Sequence, residues 1–307
     1  MSVAKIIGKI HLSKQQLVTL KNLGVSYIAA DNPNSPTDEK EIMQRIGEAE
    51  AIIINISIHI TKKIIRQCKK LRFIQTWSTG MDNIDLDAAM EAGILVKNVP
   101  DYSTESVAEK TIGMMIFIAN KIREAHQDVL KGNWNYLSFQ GVELKNKTLL
   151  LVGVGRIGSR VAELAKAFGM VVISADSKTN KDNLKDMYSK ADFIVLHCPL
   201  NEKTYHLLSD EEFKLMKKGV YLINAARGGV VDESALLRAL DNEIVAYASL
   251  DVLEQELPNS SNPLIDHPKV FVTPHIMWYT KESVERLTEY CIRNLAEYLY
   301  SKRLSAQ

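Results

Sequence analysis

The feature that most constrains the fold is a strand, a glycine-rich turn and a helix that follow one another directly. The apolar run at 149–152 leads into the sequence GVGRIG at 153–158, and an amphipathic segment follows. A second apolar run, at 171–175, ends at Asp176, which lies 18 positions beyond the last glycine of the turn. This spacing is typical of a βαβ unit that binds a dinucleotide. A glycine-rich turn without a nucleotide, or a site for another adenosine ligand such as S-adenosylmethionine, stays open on this motif alone.

Each glycine of the turn has its own expected role. Gly153 permits the tight turn, Gly155 lets the backbone approach a pyrophosphate, and Gly158 lets helix and strand pack closely. The free N–H groups of the helix that follows favour phosphate. Asp176 can accept hydrogen bonds from a ribose diol and would repel a 2′-phosphate. The sequence therefore favours NAD over NADP, and Lys178 nearby weakens that preference slightly.

Short apolar runs alternate with amphipathic stretches along the whole chain. This alternation implies parallel sheets with helices on their faces. Thr61 is a predicted N-cap of an amphipathic helix, and residues 104–123 predict one long apolar helix buried between layers. The pattern of apolar and polar residues at 281–303 predicts an amphipathic helix. In the first hundred residues, strands are predicted at 51–58, 71–75 and 94–96.

Composition argues against several classes of function. The 307 residues include 38 Lys and Arg against 37 Asp and Glu, and a formal net charge of +1 argues against nucleic acid as a partner. The three cysteines, Cys68, Cys198 and Cys291, are far apart, so we expect neither a disulfide framework nor a metal site. No run of apolar residues is long enough for a membrane span, and we expect a cytoplasmic protein.

Further motifs follow in a fixed order. The chain reads NAARGGVVDE at 224–233, LDVLEQE at 250–256 and TPHIMW at 273–278. It also reads STGMDNIDL at 78–86 and NVPDYSTESVAE at 98–109. In this order, and with the glycine turn among them, these segments resemble the D-isomer-specific 2-hydroxyacid dehydrogenase family.

The resemblance implies an α/β protein with two Rossmann-like domains, one flavodoxin-like and one dinucleotide-binding, with parallel sheets and an interdomain cleft. The substrate domain is expected at 1–100 plus 281–307, and the NAD-binding domain at 101–280. The family also implies a homodimer formed largely through the NAD-binding domain. The stretch 130–147, with Trp134, resembles part of a dimer arm, although an ordinary surface loop is the alternative.

Three residues are the expected catalytic group. Arg227 offers a planar, permanently charged guanidinium for the substrate carboxylate. His275 can exchange a proton near neutral pH. Glu256 suits a hydrogen bond that fixes the tautomer of His275, and Glu254 competes for that role. Leu257 stands where the family often has proline, which bears on the local loop shape.

The resemblance also implies contacts with substrate and cofactor. Asp251 is expected to receive the nicotinamide carboxamide. The expected substrate contacts are Thr79, Gly80, Tyr102, Arg227 and Trp278. The expected cofactor contacts are Thr79, Gly153, Gly155, Arg156, Ile157, Gly158, Asp176, Pro199, Thr204, Ala225, Ala226, Arg227, Asp251 and His275.

The substrate is expected to be a small 2-keto acid or the matching D-2-hydroxy acid. Relatives that act on phosphorylated substrates tend to have an arginine where Asn55 stands, so 3-phosphoglycerate is not favoured. An NAD(H)-sensing scaffold of the corepressor type is the alternative function on the same fold. A methyltransferase is a weaker alternative, because the segments around Arg227 and His275 would have no role in it.

Overall fold

The computed structural model describes residues 4–28, 38–256 and 262–305. The chain divides into two units, Met1–Ser103 with Thr280–Gln307, and Thr104–Tyr279. Each unit is an α/β domain built on one parallel sheet, which confirms the predicted fold class. Among the described residues, no helix is both long and apolar enough to cross a membrane.

The first unit has a five-stranded sheet in the order β2-β1-β3-β4-β5. This is the strand order of flavodoxin-like folds, in which ligands bind beyond the carboxyl ends of the strands. Its elements are β1 (Ala4–Ile7), α1 (Lys14–Asn22), β2 (Val25–Ile28), α2 (Glu39–Ile46), β3 (Ala51–Ile54), α3 (Lys62–Gln67), β4 (Phe73–Thr76), α4 (Leu86–Glu91), β5 (Leu95–Lys97) and, from the end of the chain, α11 (Lys281–Ser305).

Side chains of alternate residues cover the two faces of this sheet. Ile52 and Ile54 of β3 lie in the core formed with α2, α3 and α4. On β4, the fully buried ring of Phe73 stacks on Tyr298 of α11, with ring centroids 4.6 Å apart. Burial on both faces explains why the strands are continuous apolar runs rather than alternating ones.

The second unit has a six-stranded sheet in the order β11-β10-β9-β8-β6-β7. The order reverses between β6 and β8, which makes this the switch point where such sheets bind ligands. Its elements are α5 (Thr104–Ala119), α6 (Ile122–Leu130), β6 (Thr148–Val152), α7 (Arg156–Ala167), β7 (Val171–Ala175), α8 (Lys181–Lys190), β8 (Phe193–Leu196), α9 (Asp210–Leu215), β9 (Val220–Asn224), α10 (Glu233–Asp241), β10 (Val245–Leu250) and β11 (Val270–Val272).

Alternation along β6 sends side chains into two separate cores. Leu149 and Leu151 pack with α5 and α7 on one face, whereas Leu150 and Val152 pack with the opposite face. The result is a three-layer arrangement of helices, sheet and helices. Helix α5 lies in one of these cores, which explains its apolar sequence.

Two element ends differ from the sequence-based prediction by more than two residues. The predicted helix over 104–123 ends at Ala119, because Lys121 adopts a left-handed conformation with φ of 50° and a new helix begins at Ile122. The predicted strand over 51–58 ends at Ile54, because the Asn55 side chain accepts hydrogen bonds from Ser57 and turns the chain. The N-cap at Thr61 is confirmed, since its hydroxyl accepts from the Ile64 N–H at 3.4 Å.

Candidate active site

The sheet register of the second unit places the residues that directly follow its six strands in one row. Ala175, Val152, Leu196, Asn224, Leu250 and Val272 are successive register partners across β7, β6, β8, β9, β10 and β11. The strands are parallel, so the residue after each partner lies at the same carboxyl edge. That row of residues is Asp176, Gly153, His197, Ala225, Asp251 and Thr273.

Two glycines of the turn after β6 are required by the protein's own packing. Gly153 has φ of 100°, and a Cβ built there would lie 2.6 Å from the backbone nitrogen of Cys198. A Cβ on Gly158 would lie 2.0 Å from the carbonyl oxygen of Gly153. Neither distance is one that real Cβ atoms adopt, so a side chain at either position would displace the turn.

Gly155 differs from both of these glycines. It is the N-cap residue of α7, and its φ of −71° is accessible to any residue. The described residues place no atom within 4 Å of a Cβ built on it. The protein's packing therefore does not explain this glycine, whereas close approach of a phosphate group to the helix N-terminus does. This open cradle fits the pyrophosphate of a dinucleotide.

Asp176 follows β7 in the same row. Its carboxylate accepts the N–H of Lys178 at 2.8 Å, and its own N–H donates to the Thr179 hydroxyl at 3.0 Å. These contacts fix an exposed acidic side chain beside the glycine turn, where a ribose diol is expected. Arg156 is exposed at the start of α7, and Ile157 packs against the core beneath it.

The segment after β8 contains the other predicted cofactor contacts. The Thr204 hydroxyl donates to the Pro199 carbonyl at 2.6 Å and accepts the Asn201 N–H at 2.8 Å. In this structure, the Thr204 hydroxyl therefore closes a turn of its own segment. His197 lies 3.4 Å from the Thr111 hydroxyl, and burial lowers the pKa of its ring to about 4, so the ring is neutral near pH 7.

Arg227 lies three residues beyond the end of β9 in a loop with a fixed backbone. The buried Asn224 side chain accepts the Ala226 N–H and donates to the Arg227 carbonyl at 3.0 Å. Arg227 itself is half-buried, and its guanidinium donates to the Ala226 carbonyl at 2.8 Å. A Cβ on Gly228 would lie 1.9 Å from the backbone of Leu253. Gly228 thus allows the loop of Arg227 to touch the loop that contains Glu256.

Asp251 follows β10 and holds the segment of His275. Its buried carboxylate accepts the Thr273 hydroxyl at 2.6 Å, the Ile276 N–H at 2.8 Å and the Met277 N–H at 3.0 Å. A carboxylate has about four lone-pair sites. Within the described residues, these three bonds leave about one acceptor site on the carboxylate, and the contact with a carboxamide stays a prediction.

His275 and Glu256 form a hydrogen-bonded pair. The imidazole Nδ1 lies 3.0 Å from Oε2 of Glu256 and 2.9 Å from its Oε1. His275 has φ of 52°, and its N–H donates to the Asp251 carbonyl at 2.8 Å, which helps to hold this left-handed conformation. The competing Glu254 lies instead 3.0 Å from Nε2 of His206. The geometry therefore pairs His275 with Glu256.

One residue of this segment was missed from the sequence. Lys110 of α5 donates to the carbonyls of Ile276 and Tyr279 at 2.7 and 2.9 Å. Burial lowers the pKa of its ammonium, and the Asp251 carboxylate opposes that shift. A single lysine within the apolar run of α5 was the signal that could have found it. Trp278 is half-buried and packs against the same core, edge-on to Tyr279.

The remaining predicted substrate contacts belong to the first unit. The Thr79 hydroxyl donates to the Val99 carbonyl at 2.9 Å, and the Gly80 carbonyl accepts the Ser78 hydroxyl at 2.7 Å. Tyr102 is buried, and its carbonyl accepts from Arg286 at 3.0 Å. These bonds fix the backbone at Thr79 and Gly80, whereas their contact with substrate stays a prediction.

Comparison with known proteins gives a consistent result. The family model described as D-isomer specific 2-hydroxyacid dehydrogenase, NAD binding domain, matches residues 112–277. A D-3-phosphoglycerate dehydrogenase of Methanocaldococcus jannaschii is 40% identical over 256 residues, which are 80% of this chain and 49% of that protein. The chain thus spans about half the length of that curated relative and of the others that head the comparison.

Solved structures agree over nearly the whole chain. The D-lactate dehydrogenase of Aquifex aeolicus, complexed with NAD and lactic acid, is 31% identical with a TM-score of 0.84, covering 97% of this chain and 96% of that one. A glyoxylate reductase of Paecilomyes thermophila is 28% identical with a TM-score of 0.85, covering 96% and 94%.

Proposed function

The chain belongs to the D-isomer specific 2-hydroxyacid dehydrogenase family, and from this premise we propose that it interconverts a small 2-keto acid and its D-2-hydroxy acid with NAD. The observation that carries the proposal is the His275–Glu256 hydrogen bond, formed at the same sheet edge as the glycine turn and the Arg227 loop. NAD, when bound, supplies or accepts the hydride. Gly155 and the N-terminus of α7 would hold its pyrophosphate, and Asp176 its ribose.

Arg227 would bind the substrate carboxylate. Its guanidinium keeps its charge at any working pH and offers paired donors to a planar carboxylate. The loop is held by Asn224 and by the close contact at Gly228. A rigid loop limits the orientations of the bound acid, and fixed orientation is a large part of the rate gain in such reactions.

His275 would exchange the proton on the substrate oxygen. Its Nδ1 faces Glu256, so Nε2 is the nitrogen free to donate to a keto oxygen during reduction or to accept from a hydroxyl during oxidation. Glu256 stabilises the protonated ring and fixes its orientation. The hydrogen bonds of Asp251 and Lys110 to residues 273–279 support the backbone that positions the ring.

The substrate is proposed to be unphosphorylated. The Asn55 side chain is engaged with its own turn, since it donates to the Lys9 carbonyl at 2.9 Å and accepts from the Ser57 hydroxyl at 2.7 Å. It thus supplies no charge for a phosphate at the position where phosphate-handling relatives tend to have arginine. Oxidation of 3-phosphoglycerate is the second candidate, favoured by the activity named for the Methanocaldococcus jannaschii relative.

The assembly is proposed to be a homodimer. Helix α6 has no buried residue, and its last residue, Leu130, is exposed. In the segment that follows, Tyr136 and Leu137 are exposed and Trp134 is 91% exposed. Contiguous apolar side chains of this kind mark association surfaces. Sedimentation should give a dimer that Trp134→Glu converts to a monomer, whereas Met90→Glu, at an apolar residue of the first unit that is 75% exposed, should not. A wild-type monomer at micromolar concentration would contradict the proposal.

An NADH oxidation assay tests the activity. The panel contains pyruvate, hydroxypyruvate, glyoxylate, 2-ketoisocaproate, phenylpyruvate, 2-ketoglutarate and 3-phosphohydroxypyruvate, with NADPH in parallel. Rapid turnover of an unphosphorylated acid supports the proposal, and preference for the phosphorylated acid supports the second candidate. NADH binding with no turnover of any acid would instead favour an NAD(H)-sensing scaffold.

A further inference from the structure

A second histidine–carboxylate pair lies close to the proposed catalytic pair. Nε2 of His206 is 3.0 Å from Oε1 of Glu254, and the two side chains are 30% and 35% exposed. Neither residue has a role in the proposed proton or hydride transfer. Glu254 nevertheless lies two residues before Glu256 in the same loop.

Contacts from three other segments converge on Glu254. Besides the His206 ring, its Oε1 accepts the Glu233 N–H at 3.4 Å, and its own N–H donates to Oε1 of Glu233 at 2.8 Å. Its backbone nitrogen lies 2.3 Å from the position of a Cβ on Gly228, so the Arg227 loop touches it directly. Glu254 is therefore a fixed point of the loop.

His206 is itself held tightly. Its N–H donates to the Gly229 carbonyl at 2.8 Å, and its ring stacks on Tyr205 with centroids 4.0 Å apart. Its φ of 49° is a left-handed conformation that a non-glycine residue keeps only where its surroundings enforce it. His206 thus connects the segment after β8 both to the Arg227 loop and to Glu254.

Glu256 has much less support of its own. Within the part of the chain that the structure describes, its side chain hydrogen-bonds with His275 and with no other residue. The next residues, 257–261, lie outside the described residues. On the described side of the loop, the nearest fixed point before Glu256 is Glu254.

We infer that Glu254 and His206 are positioning residues, which hold the loop so that Glu256 reaches His275. This inference rests on the proposed function, because it assigns the pair an effect on the same proton transfer. The two residues act through Glu256 and do not touch the reacting atoms. Without the Glu254 or the His206 side chain, Glu256 should move away from His275. Small displacements of a catalytic group cost about 10- to 100-fold in rate.

A double-mutant cycle tests the inference. Glu254→Ala removes all side-chain contacts, and His206→Asn removes only the ring, since asparagine tolerates a left-handed conformation. Each should lower kcat with the best 2-keto acid about tenfold or more, whereas the Kd for NADH should stay within about twofold. In a Glu256→Gln background, the same changes should have almost no further effect, because they act through Glu256. Glu254→Gln, which keeps an acceptor for His206, should retain most of the activity.

The control is Asp241→Asn, which neutralises the partner of another histidine, His267, at 3.5 Å. It should leave kcat unchanged. The inference is wrong if Glu254→Ala and His206→Asn lower kcat by the same factor in the Glu256→Gln background as in the wild type, or if both leave wild-type kcat within twofold. Absence of keto-acid turnover by the wild-type protein would instead refute the proposed function, so the two failures are distinguishable.

Discussion

Replacing Gly155 with serine should separate cofactor binding from folding. Gly155 is the N-cap of α7 with an extended backbone, and the described residues place no atom within 4 Å of its ideal Cβ. Serine is preferred over glycine at an N-cap by a few tenths of a kcal/mol. Restricting the unfolded chain adds roughly 0.5 kcal/mol. The variant should therefore unfold about 1–3 °C above the wild type.

NADH binding should change in the opposite direction. The added Cβ and hydroxyl would occupy the space assigned to the pyrophosphate, and overpacking of this kind costs roughly 1–3 kcal/mol. That cost corresponds to an NADH affinity about 5- to 150-fold weaker. The measurements are calorimetric titration of NADH and thermal unfolding with and without NADH. Bound cofactor should raise the unfolding temperature of the wild type far more than that of Gly155→Ser.

Two glycine substitutions serve as controls. Among the described residues, a Cβ on Gly113, within α5, also meets nothing within 4 Å. Gly113→Ala should therefore stabilise the fold by about 1 kcal/mol and leave NADH binding unchanged. Gly158→Ala should lower stability, because its Cβ would lie 2.0 Å from the Gly153 carbonyl oxygen. A folded Gly155→Ser variant that binds NADH within twofold of the wild type would refute the assignment of the cradle.

Three further predictions concern Asp251 and Lys110, which hold the segment of His275, and His197, which follows β8. Asp251→Asn replaces a carboxylate oxygen with an amide N–H that faces backbone donors. Urea unfolding should therefore show a free energy of unfolding lower by about 1–3 kcal/mol, and kinetics should show a lower kcat. Lys110→Met removes the two donors to the carbonyls at 276 and 279, and should lower kcat several-fold, with Lys110→Arg closer to the wild type. Burial lowers the pKa of His197 from 6.5 to about 4, so the unfolded chain binds more protons between these values. As the pH drops through that range, the free energy of unfolding should therefore fall by roughly 2–3 kcal/mol, a value already reduced because the ring is partly exposed. In urea unfolding at several pH values, His197→Gln should flatten this dependence.

The sequence predicted the second unit well where motifs impose geometry. The glycine turn demands a strand before it and a helix after it, because Gly153 and Gly158 fit only where backbone segments touch. The structure has these elements at β6 and α7. The sequence assigned Glu256 to His275 with Glu254 as a competitor, because both glutamates lie in one short loop. In the structure, Glu256 contacts His275 and Glu254 contacts His206.

Local breaks were harder to predict. The end of α5 depends on the left-handed Lys121, a residue type with no preference for that conformation, and apolar periodicity continues past it. A Cβ on Gly141 would lie 2.3 Å from the Asn120 side chain, so the returning chain packs against the break. Such tertiary contacts have no local sequence signal. The same holds for Lys110, whose acceptors are 166 and 169 residues away.

We propose that His275, oriented by Glu256, exchanges a proton with a 2-keto acid while NADH reduces that acid. The most direct test is single-turnover reduction by the wild type and by His275→Asn, since asparagine tolerates the φ of 52° found here. At saturating NADH, oxidation of the bound NADH should slow by about 100- to 10,000-fold in the variant. A single-turnover rate within about threefold of the wild type would refute this role of His275.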